Sequence, residues 1–232
     1  MEQCDETDAN ALHALAAHRD VPRADFARSA VRLSTPYNQI FGNLQTTRVT
    51  CSVCMHVTEK YDRAHSYELA LDDANVGSMQ ELLVAHLANE HLGTDYSCDA
   101  CGRRGKCAKR TNVQQWQRVL MINFKRFAFD RIKKQATKIE RHIRYPMSYE
   151  PVAGIHYQLH AVVVHTGRFG SGHYFAYVRG SDDQWRFCND SQKPRVVVDA
   201  AEVQRQQAYI LFYERVTAVQ ERIIVNLHPN AL

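Results

Sequence analysis

The chain has 232 residues, of which 45% are hydrophobic and 23% are charged, and its formal net charge is +4. This length suffices for one domain with a substantial core, or for one domain plus a small module. The chain contains no run of 18 apolar residues and no signal-like start. We therefore expect no membrane span, and an intracellular protein of the cytoplasm, the nucleus or both.

Positive charge is concentrated in two clusters. The first consists of Arg103, Arg104, Lys106, Lys109 and Arg110, and the second lies between Lys125 and Arg144. Clusters of this kind can face nucleic acid or an acidic protein, but most of them are solvated loops and strand faces. They leave a nucleic-acid-binding function open without favouring it.

The N-terminal third is predicted to contain one helix and the first strands. Leucines three residues apart among alanines indicate an amphipathic helix over residues 7–18, with Thr7 or Asp8 as its N-cap. A connector runs through Pro36. Alternating apolar residues predict that strands begin at Ile40, with Gly42 and Asn43 as a turn signal.

The rest of the chain is dominated by short β-rich segments around one further helix. That helix is predicted over Ser78–Ala88, because Ser78 and Glu81 form a capping box ahead of leucines at helical spacing. The predicted strands are Tyr67–Leu71, Val119–Phe124, Ile139–Tyr145, Tyr157–His165, His173–Val178, Trp185–Cys188 and Ala208–Tyr213. Their punctuation by Gly, Asp and Pro indicates an antiparallel sheet.

Four of the seven cysteines form two C-x-x-C pairs. These are Cys51 with Cys54 and Cys98 with Cys101, and 43 residues separate the pairs. Two such turns can complete a tetrahedral four-sulfur site, so we expect Zn²⁺, and because no coordination position stays open the ion should be structural. Metal-free turns or a redox dithiol are the weaker alternatives. Cys107 or a nearby histidine could substitute as a ligand, although no second motif supports either.

A histidine and a polar strand end form a second constellation. His173 opens the predicted strand in the segment GSGHYFAYVR, and Asn189 and Asp190 end the strand that begins at Trp185. Either of these side chains could accept a hydrogen bond from one ring nitrogen of His173 and leave the other facing a thiol or hydroxyl. Taken alone, His173 is more typical of a hydrogen-bonded core histidine than of a general base.

Several motifs together carry a resemblance to a known family. They are Ile40–Leu44, the two cysteine pairs, the Lys-Arg-Phe ending of Val119–Phe127, Lys138 with Pro146, the histidine box from Tyr157 to Tyr174, Trp185–Asp190 and Ala208–Tyr213. In this combination the chain resembles the ubiquitin-specific proteases, which are cysteine deubiquitinases with a thumb, a palm and zinc-bearing fingers.

The resemblance implies an α+β fold of the papain-like cysteine protease superfamily, with a palm of antiparallel sheet, a zinc-binding finger subdomain and a thumb that is mostly absent. The implied organisation is a partial protease domain over 1–216 and a tail over 217–232. Within the domain, 1–39 would be a residual thumb helix and connector, 40–118 the fingers and 119–216 the palm.

The resemblance also implies roles for individual residues. His173 would be the general base, Asn189 the third member of the triad, and Asp190 a residue that polarises the site. Ubiquitin, free or attached to a protein, would be the partner held by fingers and palm. The implied activity is thiol-dependent cleavage of ubiquitin from protein conjugates.

The family's nucleophile box, an Asn-rich loop followed by a cysteine on a helix, is not found in this sequence. Cys4 has only three residues before it, so it lacks the preceding loop that would donate to an oxyanion. Cys188 lies on the strand that should carry the orienting residue, and Cys107 lies near the finger tip. We therefore expect a fragment, or a protein that has lost its nucleophile, which does not cleave ubiquitin conjugates by itself.

Two other functions compete with this one. The first is a non-catalytic ubiquitin-binding scaffold that keeps the fingers and palm, although retention of His173 and Asn189 speaks mildly against it. The second is a zinc-ribbon nucleic-acid binder, which leaves the histidine segment and Trp185–Asp190 unexplained.

Overall fold

The structure, a computed structural model, describes residues 35–130 and 134–216. The helix predicted over residues 7–18, Cys4 and the tail 217–232 lie outside the described residues. The described helices are α1 (Pro36–Phe41), α2 (Met79–Leu87) and α3 (Ala200–Gln204). Among these helices none has the length and apolar character needed to cross a membrane.

Fourteen strands are described in the same ranges. They are β1 (Asn43–Cys51), β2 (Val57–Ala64), β3 (Tyr67–Ala70), β4 (Glu90–Leu92), β5 (Cys107–Gln115), β6 (Val119–Lys125), β7 (Phe127–Asp130), β8 (Gln135–Lys138), β9 (Ser148–Val152), β10 (Ile155–Arg168), β11 (Ser171–Arg179), β12 (Trp185–Cys188), β13 (Arg195–Val197) and β14 (Ala208–Arg215).

The strands form two main sheets. The small sheet has the order β2-β1-β5-β4, and all of its pairings are antiparallel. The large sheet has eight strands in the order β13-β12-β11-β10-β14-β6-β3, with β9 paired to β10. Only the β3–β6 pairing of the large sheet is parallel among the described strands. A separate hairpin joins β7 to β8.

The hydrophobic core lies on the large sheet. Buried side chains from β6, β10 and β14, among them Leu120, Leu159 and Leu211, pack with Met79 and Leu83 of α2. The small sheet is different, because β2 contributes no buried side chain. The large sheet can therefore be stabilised by burial of apolar surface, whereas the small sheet needs another source of stability.

The long, strongly patterned elements agree with the sequence-based expectations. Helix α2 begins at the predicted capping box, in which Ser78 and Glu81 bond to each other's backbone N–H groups. The predicted strands that became β3, β6, β10, β11, β12 and β14 are all present. Strand β3 lies within the 40–118 stretch of the sequence, but it pairs with β6 in the large sheet.

Two predicted strand segments were wrong. Ile40 lies in helix α1, because the Thr35 side chain caps this helix and Pro36 occupies its first turn, so that β1 begins only at Asn43. Residues 139–145 form no strand, and their only ladder contact is a single bridge between Arg144 and Ser78. The carbonyl groups of Ile139 and Arg141 in this segment bind a side chain and not a neighbouring strand.

That side chain is Arg126, which is 1% exposed. Its guanidinium donates to the carbonyl oxygens of Ile139 (3.0 Å), Arg141 (2.9 Å) and Ala208 (2.7 Å). Desolvation by burial lowers the pKa of Arg126 to about 10, so the group stays charged at neutral pH. Arg126 thus anchors residues 139–141 to the start of β14, which replaces the strand pairing that the sequence pattern predicted.

Gly172 lies where two strands approach closely, opposite Gly167 in the β10–β11 ladder. A Cβ at position 172 would lie 2.2 Å from the ring Nε2 of His165 and 2.4 Å from the carbonyl oxygen of Thr166. We predict that Gly172→Ala destabilises the protein by about 1–3 kcal/mol, because the backbone must shift to relieve the overlap. Differential scanning calorimetry should record a fall in Tm of roughly 2–10 °C.

Gly93→Ala is the matched control. An added Cβ at Gly93 meets no atom within 4 Å, so this variant should melt close to the unmodified protein. Equal melting temperatures for the two variants would contradict the steric explanation.

Candidate active site and metal centre

The four cysteines of the two C-x-x-C pairs come together at one end of the small sheet. Cys51 ends β1, and Cys54 follows in a turn, while Cys98 and Cys101 occupy a second turn that precedes β5. The four Sγ atoms all lie within 4.8 Å of one another. Four thiol ligands at this separation could hold one metal ion.

The two cysteine turns have the same backbone geometry. The residue after each pair, Met55 or Gly102, adopts a left-handed conformation, with φ of 59° and 67° respectively. Its N–H donates back to the carbonyl of the first cysteine, at 3.0 Å for Cys51 and 2.8 Å for Cys98. The two turns thus present their sulfur atoms in the same way, which is what a tetrahedral four-sulfur site requires.

Backbone N–H groups in each turn favour the thiolate form of the first cysteine. The N–H groups of Cys54 and Val53 lower the pKa of Cys51 to about 6. Those of Cys101 and Ala100 lower the pKa of Cys98. Since the thiolate is the form that binds metal, the donor set fits a thiophilic ion with four sulfur ligands.

A fifth cysteine lies against this cluster; the sequence left it open as a substitute ligand but did not predict its pairing with Cys51. Cys107 begins β5 directly opposite Cys51, is 2% exposed, and packs with Cys51 and Cys98. Burial raises the pKa of the Cys107 thiol to about 11. In the sequence, Cys107 lies only six residues after Cys101, which hinted that the two are close. The contact with Cys51 itself depends on the pairing of β5 with β1.

The predicted histidine and asparagine are brought together on the large sheet. His173 lies near the start of β11, and its Nε2 lies 2.5 Å from Oδ1 of Asn189, directly after β12. Because an amide oxygen only accepts, Nε2 donates in this bond and the neutral ring keeps its lone pair on Nδ1. The imidazole is therefore oriented so that Nδ1 can take up a proton.

Asp190 faces the other ring nitrogen of His173. Its Oδ2 lies 3.8 Å from Nδ1, which is too long for a hydrogen bond but suits attraction to an imidazolium. Asp190 has a left-handed backbone, with φ of 45°, at the turn after β12. The carboxylate can stabilise the charge that develops when Nδ1 accepts a proton, and the exposed ring leaves Nδ1 accessible.

Aromatic rings line the β10–β11 hairpin next to His173. His165 is buried, and its ring lies 4.6 Å from Tyr174 and 5.5 Å from Phe127, measured between ring centroids. Burial, together with the positive charge of Lys138, lowers the pKa of His165. His165 is thus a neutral core histidine, while His173 carries the polar contacts expected of a base.

Cys188 is the remaining cysteine of the described strands. It is the last residue of β12, and Asn189 follows it directly. Its Sγ lies 3.9 Å from the carbonyl oxygen of Arg186, and the side chain is half-buried. Within residues 35–130 and 134–216, the His173 ring has polar contacts with Asn189 and Asp190. The described part of the chain therefore contains a histidine with two polar partners at its ring, without a thiol bonded to them.

Several side chains of the two basic clusters form ion pairs or hydrogen bonds within the protein. Lys109 pairs with Glu90 across the β4–β5 ladder. Within the second cluster, Lys138 donates to the carbonyl of His165, and Arg141 donates to those of Ala74 and Val76. These contacts favour a structural role for much of the charge and give no support to a nucleic-acid interface.

The family model of ubiquitin carboxyl-terminal hydrolase matches residues 2–213, which is most of the chain. The chain belongs to the ubiquitin carboxyl-terminal hydrolase family. Human ubiquitin carboxyl-terminal hydrolase 42 is 33% identical over 188 residues, covering 76% of this chain and 14% of the relative. Human ubiquitin carboxyl-terminal hydrolase 17-like protein 13 is 29% identical over 191 residues, covering 78% of this chain and 34% of the relative. The chain thus spans about a third or less of the length of these relatives.

Solved structures support the fold of this family member. The SAGA Ubp8/Sgf11/Sus1/Sgf73 DUB module bound to ubiquitin aldehyde aligns with a TM-score of 0.67 and 22% identity, over 84% of this chain and 47% of that chain. A further Ubp8-Sgf11-Sgf73-Sus1 SAGA DUB module aligns with a TM-score of 0.66, over 82% of this chain and 46% of that chain. The α+β fold predicted from the sequence is confirmed.

Proposed function

We propose that this chain forms the finger and palm portion of a thiol-dependent deubiquitinase, with the small sheet as the fingers and the large sheet as the palm. The observation that carries this proposal is the 2.5 Å hydrogen bond from Nε2 of His173 to Oδ1 of Asn189, which orients a histidine as a base. The nucleophile is a cysteine other than those of the described residues. Residues 1–39 would belong to the thumb, and 217–232 would follow the domain.

The proposed reaction needs one proton acceptor and one acyl carrier. Nδ1 of His173 takes the proton of the cysteine thiol, and the thiolate attacks the carbonyl of ubiquitin's C-terminal glycine. The imidazolium, facing Asp190, returns its proton to the departing lysine amine and leaves a thioester. Water then attacks the thioester, with Nδ1 again accepting a proton. Each proton that leaves a nucleophile is thereby passed to a leaving group.

We propose that the metal of the small sheet is Zn²⁺ held by Cys51, Cys54, Cys98 and Cys101. Bound there, zinc would supply structural cross-linking without Lewis-acid catalysis, because four thiolates fill a tetrahedral shell. Its role would be to hold the far end of the fingers in place while ubiquitin is bound.

Ubiquitin is proposed to sit in the groove between the two sheets. This groove has a volume of about 1180 Å³, and its lining includes Arg48, Tyr61, Val84, Leu87 and Val152. Val84 of α2 is 67% exposed although it is apolar. Val152, which is 47% exposed, lines the same groove, so its wall offers more than one apolar side chain that a protein partner could cover.

We predict that the chain binds unmodified ubiquitin in isothermal titration calorimetry, and that Val84→Glu weakens binding at least about tenfold. The glutamate would bring an unpaired charge into the contact, which costs desolvation energy. Val198→Glu is the matched control, since Val198 directly follows the edge strand β13, is 98% exposed and does not line the groove. Equal loss of affinity in both variants would contradict the proposal that ubiquitin binds in this groove.

A non-catalytic ubiquitin-binding scaffold is the second candidate, favoured by the lack of a thiol bonded to the His173 ring within the described ranges. Incubation with ubiquitin vinyl sulfone tests, under either proposal, whether a described cysteine acts as a nucleophile. We expect no covalent adduct on the described cysteines. An adduct mapped by mass spectrometry to Cys107 or Cys188 would overturn the proposal that the nucleophile lies elsewhere.

A further inference from the structure

A fifth thiol lies next to the four cysteines that are proposed to bind the metal. Cys107 is buried at the first position of β5, where it packs against two of the four proposed ligands, Cys51 and Cys98. A fifth cysteine in this position adds nothing to a filled tetrahedral shell. We therefore asked whether the Cys107 thiol can react with a neighbouring cysteine and not with the metal.

The position of Cys107 relative to Cys51 is set by the strand ladder. The two residues are paired in the antiparallel β1–β5 register. The backbone N–H of Cys51 donates to the carbonyl of His56 (3.0 Å) on the opposite side of β1, while the next residue, Ser52, donates to Lys106 (2.8 Å). Cys51 and Cys107 thus form a non-hydrogen-bonded pair, the closer of the two types of antiparallel pair.

Non-hydrogen-bonded pairs match the geometry of a disulfide. Their Cα atoms lie about 4.5 Å apart, inside the range of roughly 4.4–6.8 Å that disulfides occupy, and both side chains project from the same face. The ladder that holds Cys51 and Cys107 is regular over eight residue pairs apart from one irregularity near its far end, between Leu44 and Gln45. A disulfide can therefore form here without a large movement of the backbone.

We propose that Cys51 and Cys107 form a reversible disulfide when the finger tip is oxidised by a peroxide, and that this removes Cys51 from the metal site. The inference rests on the proposed zinc site for its consequence, which is release of the ion. The disulfide itself depends only on the ladder. The small sheet would then carry a redox-sensitive modification site.

The oxidation has an accessible starting point. Cys101 is exposed, and its Sγ lies 3.8 Å from that of Cys51. A peroxide oxidises the Cys101 thiolate to a sulfenic acid, and the Cys51 thiolate displaces hydroxide to form a Cys51–Cys101 disulfide. Cys107 then loses its proton to hydroxide and attacks the Cys51 sulfur, which releases the Cys101 thiolate. In total the Cys51 thiolate and the Cys107 thiol lose two electrons and one proton, the Cys101 thiolate is regenerated, and one peroxide becomes one water and one hydroxide.

The test treats the purified chain with hydrogen peroxide and follows zinc release with a chromogenic chelator. Free thiols are blocked, and disulfide-linked peptides are mapped by mass spectrometry. We expect a Cys51–Cys107 peptide that appears together with zinc release, and both should be reversed by dithiothreitol and added zinc. In Cys107→Ser and Cys107→Ala the linked peptide and the reversible fraction of release should be lost, while one zinc per chain is retained before oxidation.

Cys188→Ser serves as the control, because Cys188 lies on the large sheet and should not alter zinc release. Mapped disulfides within the C-x-x-C pairs, or unchanged reversible release in both Cys107 variants, would overturn the proposal. If the purified chain holds no zinc, the proposed metal fails, yet peptide mapping still decides whether the Cys51–Cys107 disulfide forms. Absence of deubiquitinase activity leaves this experiment unaffected.

Discussion

The Cys98→Ser variant will lose stoichiometric zinc and the amide protection of the small sheet, while the large sheet keeps its protection. Cys98 is 4% exposed, and its Sγ lies 3.6 Å from that of Cys54, so its removal leaves three sulfur ligands at the centre of the cluster. Metal content by plasma mass spectrometry and hydrogen–deuterium exchange of strand peptides measure the two effects. Chelation of the unmodified protein should reproduce both.

The large size of this effect follows from the distribution of apolar side chains. Strand β2 has no buried residue. The buried cluster at the cysteine-bearing end of the small sheet consists of Cys51, Cys98 and Cys107. Structural zinc sites in zinc-finger peptides contribute roughly 10–16 kcal/mol of binding free energy, which is coupled to folding. Without an ion the small sheet has little burial to offset the entropy of ordering its chain.

Cys188→Ser provides the comparison for this prediction, because the half-buried Cys188 belongs to the large sheet. It should keep one zinc per chain and the full exchange protection of β1 and β5. Retention of zinc and of small-sheet protection in Cys98→Ser would show that the tip is stable without a four-sulfur metal site.

The second large effect concerns His173. On the proposed function, a fusion that places a cysteine-bearing thumb segment from an active member of the family ahead of Thr35 should hydrolyse ubiquitin with a fluorogenic leaving group. In this fusion, His173→Ala will lower kcat/KM by a factor of about 10²–10⁴, which is the usual contribution of a positioned general base. Asn189→Ala removes only the group that orients the ring, so its loss should be smaller.

His160→Ala is the matched control for the histidine. His160 lies on β10 at the irregularity between Leu159 and Ala161 in the pairing with β14, and its Nδ1 lies 3.8 Å from Oε2 of Glu214. This variant should retain the activity of the fusion. Labelling of the fusion by ubiquitin vinyl sulfone shows that the thumb cysteine is presented correctly, and a labelled fusion in which His173→Ala is as active as its parent would refute the assigned base.

Much of the candidate site could be predicted because its residues follow regular local patterns. The two C-x-x-C pairs specify tight turns, and the capping box at Ser78 specifies the start of α2. His173 and Asn189 lie at the ends of two short alternating strands, which pair side by side as β11 and β12. The bond between the two side chains follows from that adjacency.

Other features depended on contacts between distant parts of the chain. Residues 139–145 have the apolar alternation of a strand, yet Arg126 binds their carbonyl groups. Strand β5 consists largely of polar and basic residues, and it is ordered as a strand by pairing with β1 and β4. Propensity is a weak guide in such segments, because tertiary hydrogen bonds outweigh the preferences of single residues.

The sequence by itself determined which residues could do chemistry: four cysteines in two turns, and a histidine followed by an Asn-Asp strand end. Only the tertiary structure decided how they are placed. The β1–β5 register sets Cys107 opposite Cys51, and the β11–β12 pairing directs Asn189 and Asp190 toward different nitrogens of His173. The physical reason is that turns and caps depend on neighbouring residues, whereas strand register is set by burial and pairing across the whole sheet.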